Sequence, residues 1–546
     1  MMIHKTENLQ QANLTFKNYQ AASQLQKLAA VPINLAKPGV LTPARISKYV
    51  SVCCGYKLLY GTERVDDEVM AALENLASEA KALEKMKRLQ GGEVMNFIKT
   101  FPSENRPALH TATRDFFDNP QTAPKAKEAA QLALKEAERL KTFMAKIDKE
   151  KKFDEMVVIG IGGSDQGPRA NYTALEHLIK PGRKVHFIAN VDPDDAASIL
   201  KKSRLDRTLI VAISKSGTTL ETETNESLVR ERFKQAGLDP RDHFISVTMP
   251  GTPMDNKEDY VDTFHLWDWV GGRYSTSSMV GGIVLAFAFG YDVYWEFLRG
   301  AHAMDQAALK PDLKTNLPLL AALIGIWNHS FLNYPTMAII PYSQALRDYP
   351  AHYQQVDMES NGKLINQNGE FVDYQTGPVI WGSLGTNAQH SYFQLIHQGT
   401  ATIPLFLIGF RKSQYSQDLD VQGTTSQEKL LSNLFAQSLA LALGSHSDNP
   451  NKFFPGNRPS MILLGEQLTP YTAGGLLSFY EHMVAFQGFI WGINSFDQEG
   501  VQLGKLIAGK LIDIFAARRL KKKDAKADPL GDAYINLLTS DFPGKS

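Results

Sequence analysis

The sequence predicts an α/β fold of two doubly wound parallel sheets, with a helical extension at the N-terminus and a helical arm at the C-terminus. Three observations carry that prediction. From Val157 onward, short β-branched runs alternate with glycine- or hydroxyl-rich loops and amphipathic helices, the pattern of βαβ units on a parallel sheet. That rhythm occurs twice, on either side of a helical stretch. The length, 546 residues, exceeds what one hydrophobic core usually serves, and 43% hydrophobic with 21% charged residues suits a globular chain.

In chain order, residues 1 to about 150 read as helical and charged. EVMAALENLASEAKALEKMKRL, with apolar residues at helical spacing, is typical of them. An extension over 1–120 and the lead into a first domain at 121–285 follow from this. The strands of that domain are VVIGI, VHFIAN, LIVAIS, HFISVTM and DTFHLW. MVGGIVLAFAFGYDVYW, residues 279–295, is too glycine-rich and too soon acidic for a membrane span and reads as a buried helix. A second domain, 286–510, takes TMAIIPY, PVIWGS, ATIPLFLIGF and SMILLG as strands, with helices such as LLSNLFAQSLALALG between them. VVIGIGGSDQGP resembles PVIWGSLGTNAQH across the two domains, a hint of internal duplication. KLIAGKLIDIFAARRLKKKD, in the arm at 511–546 and just before it, predicts an amphipathic helix whose basic end suits the helix dipole.

Charge and cysteine content exclude several function classes. Lys plus Arg equals Asp plus Glu at 58 each, which argues against nucleic acid or an anionic membrane as the main partner. The two cysteines, Cys53 and Cys54, are adjacent, and neighbours rarely bridge each other or form a scaffold; they point to a reducing compartment and away from a metal centre built on sulfur. MMIHKTENLQQANLTFKNYQ has neither a secretory nor a transit pattern, so a cytoplasmic location is expected.

The densest chemistry lies in LIVAISKSGTTLETETN. A buried strand ends at Ser214, and Lys215, Ser216, Thr218 and Thr219 follow at the N-terminus of the next helix, with Thr218 and Glu221 in capping-box spacing. Free backbone N–H groups, hydroxyl donors and one lysine suit a phosphate, and Gly217 permits close approach. A well-capped helix is the plainer alternative. In VVIGIGGSDQGP, Gly160, Gly162 and Gly167 miss the G-x-G-x-x-G spacing because position 165 is Asp165, and no P-loop lysine follows. Asp192 after the next strand keeps a nicotinamide enzyme as a minor alternative.

Four further residues are candidates for catalysis, each with a structural alternative. Arg273 in GGRYSTSS is either a fixed cation or a salt-bridged loop arginine. Glu359 in QQVDMESNGK is either a base or a turn-flanking acid. His390, opening a helix in SLGTNAQHSYFQLIHQG, is either a proton carrier or a structural histidine. Lys505 in SFDQEGVQLGKLIAG is either functional or an exposed helix lysine.

Taken together, GIGGSDQGP, SKSGTTLET, GGRYS, MESNGK, GTNAQHSYFQLIHQG and WGINSFDQEGVQLGK resemble, in order and over nearly the whole chain, the motifs of the glucose-6-phosphate isomerase family. The resemblance implies two sugar-isomerase domains, a homodimer, a sugar phosphate substrate, and neither metal nor organic cofactor. It implies that Ser214, Lys215, Ser216 and Thr219 hold the phosphate, with Gly163 and Ser164 around the sugar. Gln355 and Gln498 would line the site. Glu359 would move a proton between C2 and C1, Arg273 would stabilise the cis-enediolate, and His390 and Lys505 would open and close the ring. His390 would come from the partner subunit. The sequence departs from the family's DQWGVELGK at Glu499 and Gln502, neither a proposed catalytic group; Ala388 and Ser391 beside His390 are conservative changes. SKSGTT alone is also similar to phosphosugar-binding regulators, but those should lack the Glu, His, Lys and Arg set. A metal-dependent aldose isomerase would need acids and histidines clustered at ligand spacing, for which the sequence has no convincing set.

Overall fold

The computed structural model describes residues 15–415, 417–520 and 528–538. Residues 1–14 of the N-terminal segment and the basic run Lys521–Lys523 lie outside them. The chain forms two compact units, Met1–Phe496 and Asp497–Ser546.

In the first unit, β1 (Val50–Cys53) and β2 (Tyr56–Leu59) form a hairpin, α1 (Asp67–Glu79) follows, and α2 (Pro124–Glu150) leads into the first sheet. That sheet comprises β3 (Glu155–Ile159), β4 (Lys184–Ile188), β5 (Thr208–Ile213), β6 (Phe244–Thr248) and β7 (Asp262–His265), in the spatial order β4-β3-β5-β6-β7, all parallel. The chain therefore reverses its winding between β3 and β5. Helices α3 (Gln166–Ala174) and α4 (Leu220–Gln235) follow β3 and β5.

The predicted buried helix over 279–295 is two helices, α5 (Met279–Phe289) and α6 (Tyr291–Ala307). Gly290, at φ 105°, breaks it in a conformation open to glycine but costly for other residues. Helix α7 (Leu317–Ile326) leads to the second sheet, which takes β8 (Thr336–Pro341), β9 (Val379–Trp381), β10 (Leu405–Lys412) and β11 (Ser460–Gln467) as its parallel strands. Helix α8 (Tyr349–Asn361) connects β8 to β9, and α9 (Pro470–Trp491) follows β11. The order is β1-β2-β11-β10-β8-β9, so the hairpin extends this sheet antiparallel at one edge. This hairpin departs from the all-helical reading of the first 150 residues. Its strands are only four residues each, and β2 finds its stabilising partner in β11, some 400 residues away.

Alternation along the strands sends residues to two faces. Met156, Val158, Leu209 and Val211 of the first sheet, with Met337, Ile339, Phe406 and Leu463 of the second, share one core with α5, α7 and α9. The opposite faces carry separate cores around Val157, Ile210 and Phe233, and around Ile340, Leu407 and Leu434.

In the second unit, α10 (Gln502–Arg519) and α11 (Pro529–Leu537) pack together. The Asp528 carboxylate accepts from the backbone N–H groups of Leu530 and Gly531, capping α11. Arg518 pairs with Asp532 at 2.7 Å. Arg518 and Arg519 close α10, where the dipole favours cations. Leu503, Leu506, Tyr534 and Leu537 are each more than 60% exposed, an apolar excess for so small a unit.

Candidate functional site

In an open parallel sheet, ligands bind beyond the carboxyl ends of the strands where the winding reverses. Here that point lies between β3 and β5, so the loops after Ile159 and Ile213 line it. Both are the loops singled out by sequence. After β5, the Ser214 hydroxyl lies 2.9 Å from the Thr219 hydroxyl and accepts from the Gly217 N–H at 3.1 Å. Ser216 Oγ accepts from the Thr218 hydroxyl at 3.0 Å and from its backbone N–H at 3.3 Å. Gly217 has φ +68°. The expected capping box on Thr218 and Glu221 is not formed: the N-cap is Thr219, without a side-chain capping bond. Thr219 turns its hydroxyl to Ser214 instead, leaving the first N–H groups of α4 without a capping side chain.

Lys215 spends two donors on the loop before Arg273. Its ammonium donates to the carbonyls of Asp268 and Val270 at 2.6 and 2.8 Å. Burial, and then the charge of Arg106, lowers its pKa to about 7. The loop after β3 reaches the same place. A Cβ on Gly163 would collide with the Gly272 carbonyl, so only glycine lets these two loops touch. Ser164 closes the short 3₁₀ turn Gly162–Ser164 beside it.

Arg273 follows that contact and is buried. Its Nε donates to Ser360 Oγ at 2.7 Å, its Nη2 donates to the Ser495 carbonyl at 2.6 Å, and its Nη1 stands 3.4 Å from Glu359 Oε1. Glu359 lies near the end of α8, one turn after Gln355, whose Nε2 donates to Glu359 Oε2 at 3.0 Å. Helical spacing puts both side chains on one face. The Glu359 side chain is 24% exposed, so its carboxylate is open to a ligand while Arg273 behind it is sealed. A carboxylate beside an immobilised, permanently charged guanidinium can abstract a proton α to a carbonyl and have the resulting oxyanion stabilised.

His390 is exposed and follows the short helix Gly385–Gln389, three residues before Phe393–Gln398. It closes a helix rather than opening one, since the backbone leaves helical geometry at φ −92°, ψ 10°. Gln498 and Lys505 belong to the second unit, Lys505 on α10 and Gln498 just before it.

Sequence reasoning named neither Ser360 nor Tyr274, though both sit inside motifs it quoted. The Tyr274 hydroxyl lies 2.8 Å from Ser360 Oγ, so the two brace Arg273 together. Behind Tyr274 lies a charged cluster that no local motif announces. His110 stacks on the Tyr274 ring at 4.6 Å between centroids. Arg114 pairs with Asp305 at 2.8 Å and with Glu481 at 2.7 Å, and His482 Nε2 lies 2.6 Å from Asp305 Oδ1. All are buried. Burial pushes the Glu481 carboxyl up to about 7 despite Arg114. For Asp305, burial works the same way, but the charge and hydrogen bonds of Arg114 outweigh it and hold the carboxyl well below the usual range.

Comparison with known proteins adds an independent line. The family model described as "Phosphoglucose isomerase" matches residues 59–530. A glucose-6-phosphate isomerase of Protochlamydia amoebophila (strain UWE25) is 64% identical over 524 residues, covering 96% of this chain and 97% of that relative. One from Chlamydia pneumoniae is 50% identical over 518 residues, covering 95% and 97%. A crystal structure of a glucose-6-phosphate isomerase from Chlamydia trachomatis D/UW-3/Cx superposes with a TM-score of 0.92 at 46% identity, covering 96% of this chain and 99% of that one.

Proposed function

The chain belongs to the phosphoglucose isomerase family, and on that premise we propose that Glu359 and Arg273 drive a reversible isomerisation of glucose 6-phosphate and fructose 6-phosphate through a cis-enediol. The isomerase activity, a step of glycolysis and gluconeogenesis, is the family's own. The observation that supports this assignment is the 3.4 Å approach of the Glu359 carboxylate to a guanidinium locked by Ser360 and Ser495.

Ser214, Ser216 and Thr219 at the start of α4, with Lys215, take the phosphate, and this remote binding energy orients the sugar. Gly163, Ser164, Gln355 and Gln498 border the sugar. His390 and Lys505 exchange protons with the ring oxygen and the anomeric hydroxyl to open the ring. Glu359 then removes the proton from C2, Arg273 offsets the charge that develops on O1, a proton passes from the O2 hydroxyl to O1, and the same carboxylate returns the carbon-bound proton to C1. The fixed cation is the protein's own arginine, so the scheme asks for no metal or organic cofactor.

The reading includes a homodimer in which each subunit lends His390 to its partner's site. The exposure of His390 and the apolar surface of α10 and α11 support it, because such surface is costly unless covered. It also keeps the division into sugar-isomerase domains at 121–285 and 286–510, the first holding the five parallel strands β3 to β7 and the second the four parallel strands of a sheet that the β1–β2 hairpin extends. A cytoplasmic location accords with the glycolytic role and with the described residues, in which no helix is long and apolar enough to cross a membrane.

The test is a coupled assay of EDTA-treated protein beside Glu359→Gln. Turnover should fall by about 10²–10⁴ in the variant while sugar-phosphate binding persists. Unchanged turnover would remove Glu359 as the base. Inactivity of both proteins with binding intact would favour a phosphosugar-binding regulator.

A further inference from the structure

The tip of the β1–β2 hairpin departs from ordinary turn chemistry. Cys53 pairs with Tyr56, so Cys54 and Gly55 are the two central residues of a tight turn, at φ +53° and +81°. Two positive φ values are the mark of a type I′ turn, which favours Asn-Gly or Asp-Gly. A cysteine in the left-handed region is sterically strained, because its Cβ crowds the backbone. Cys54 is half-buried at the edge of the main core, where its small side chain fills little space.

The left-handed residue has a second effect. Neighbouring side chains on a strand point to opposite faces, but the turn at Cys54 swings its side chain round to that of Cys53. Their sulfurs lie 3.0 Å apart, unbonded and close enough for one thiol to donate to the other, and Cys54 Sγ lies 3.3 Å from the Ala303 carbonyl of α6. Both residues are half-buried. The hydrogen bond from Cys54, with Lys310 also nearby, holds the Cys53 thiol down at about 7 although burial opposes this, so a thiolate is available at neutral pH.

Two sulfurs are too few for a structural zinc site, and among the described residues no group of three or more His, Cys, Asp or Glu could hold a metal ion. A tetrahedral metal with bonds of about 2.3 Å to sulfur would also hold them about 3.8 Å apart. A pyramidal trivalent centre, whose bond angles approach a right angle, takes a narrower bite and needs only two protein ligands. We propose that Cys53 and Cys54 form a preorganised dithiol site that chelates thiophilic trivalent arsenic, as the inorganic oxyacid or an organic arsenoxide. With an arsenoxide, two As–S bonds form, the arsenic–oxygen double bond breaks, and the oxygen leaves as water with the two thiol protons. Arsenic stays trivalent and nothing is oxidised or reduced.

The chain's two cysteines make the test clean. One equivalent of phenylarsine oxide added to the native reduced protein should abolish the reaction of both thiols with Ellman's reagent. 2,3-Dimercaptopropanol should restore it, and excess 2-mercaptoethanol should not. Cys54→Asn, which suits the left-handed position and keeps the fold, should bind phenylarsine oxide about 10²–10⁴-fold more weakly, the loss expected when a chelate becomes a single contact. Urea-unfolded protein should also bind more weakly than native. Two thiols still reactive at one equivalent, an undiminished affinity in Cys54→Asn, or equal affinity in the unfolded chain would each overturn the proposal.

Discussion

Arg273 Nε donates at 2.7 Å to the hydroxyl of Ser360, the residue that follows Glu359 on α8. The cation and the carboxylate are thus held by adjacent residues of one helix, and the distance between them is set by that helix and not by a flexible loop. A lysine at 273 would keep the charge but lose the planar fork that reaches Ser360, the Ser495 carbonyl and Glu359 together. Arg273→Lys should lower kcat by about 10²–10³ with little change in KM, the signature of an interaction made mainly in the transition state. Steady-state rates in both directions check this; a change confined to KM would assign Arg273 to substrate binding.

The environment of Lys215 predicts a pH effect on binding. Its pKa is lowered to about 7 from 10.5, so the free enzyme loses this charge as pH rises through neutrality. A phosphate dianion favours the ammonium, so binding above about 7 requires proton uptake. KM should be steady below that pH and climb by up to about tenfold per unit above it, with kcat little affected. Lys215→Met should have a raised KM that lacks this climb. A KM profile identical in the two proteins would show that the ammonium serves the loop at Asp268 and Val270 alone.

Much of this was legible in the chain, and the reasons are local. The central strands of both sheets announce themselves because they are buried on both faces and are therefore almost continuously apolar, as Thr208–Ile213 and Thr336–Pro341 are. SKSGTT was legible because a helix N-terminus is specified within a few residues. The hairpin at 50–59 was not, since its edge pairing to β11 is set by distant sequence. Nor was the Thr219 cap: Thr218 and Glu221 satisfy the spacing, but the Thr218 hydroxyl bonds Ser216, a choice that spacing cannot reveal. The cluster around Arg114 was hidden for the same reason as the hairpin, its members being drawn from the 3₁₀ turn His110–Arg114, from α6 and from α9.

That cluster should be a stability determinant. Arg114 is buried with two carboxylates, Asp305 and Glu481, and its removal leaves the charge of Asp305 without its main partner. Arg114→Met should cost about 3–5 kcal/mol, read as a lower urea midpoint. Pairing it with Asp305→Leu should recover part of the loss, since the uncompensated charge is then gone. Because Asp305 titrates below its unfolded value, its contribution is present above the ordinary carboxylate pKa of 3.8 and fades as pH falls further. The difference between parent and Arg114→Met should therefore shrink in acid. A constant difference down to the acid transition would mean that lost packing, not charge, is the cause.

His390 is exposed, as a residue lent to a second subunit must be. If each site takes Glu359 from one subunit and His390 from the other, Glu359→Gln and His390→Ala chains are each inactive alone but complement one another. In a hybrid dimer, one site carries both defects and the other carries none. Random reassortment of equal amounts makes half the dimers hybrid, so unfolding and refolding the two variants together should restore about a quarter of the parent activity. Refolding is needed because subunits of a tight dimer do not exchange on mixing, and each variant refolded alone gives the baseline. Recovery near a quarter would establish a shared site. No recovery, with hybrid dimers demonstrated by differently tagged chains, would place His390 outside the partner's catalytic centre and leave ring opening to residues of a single subunit.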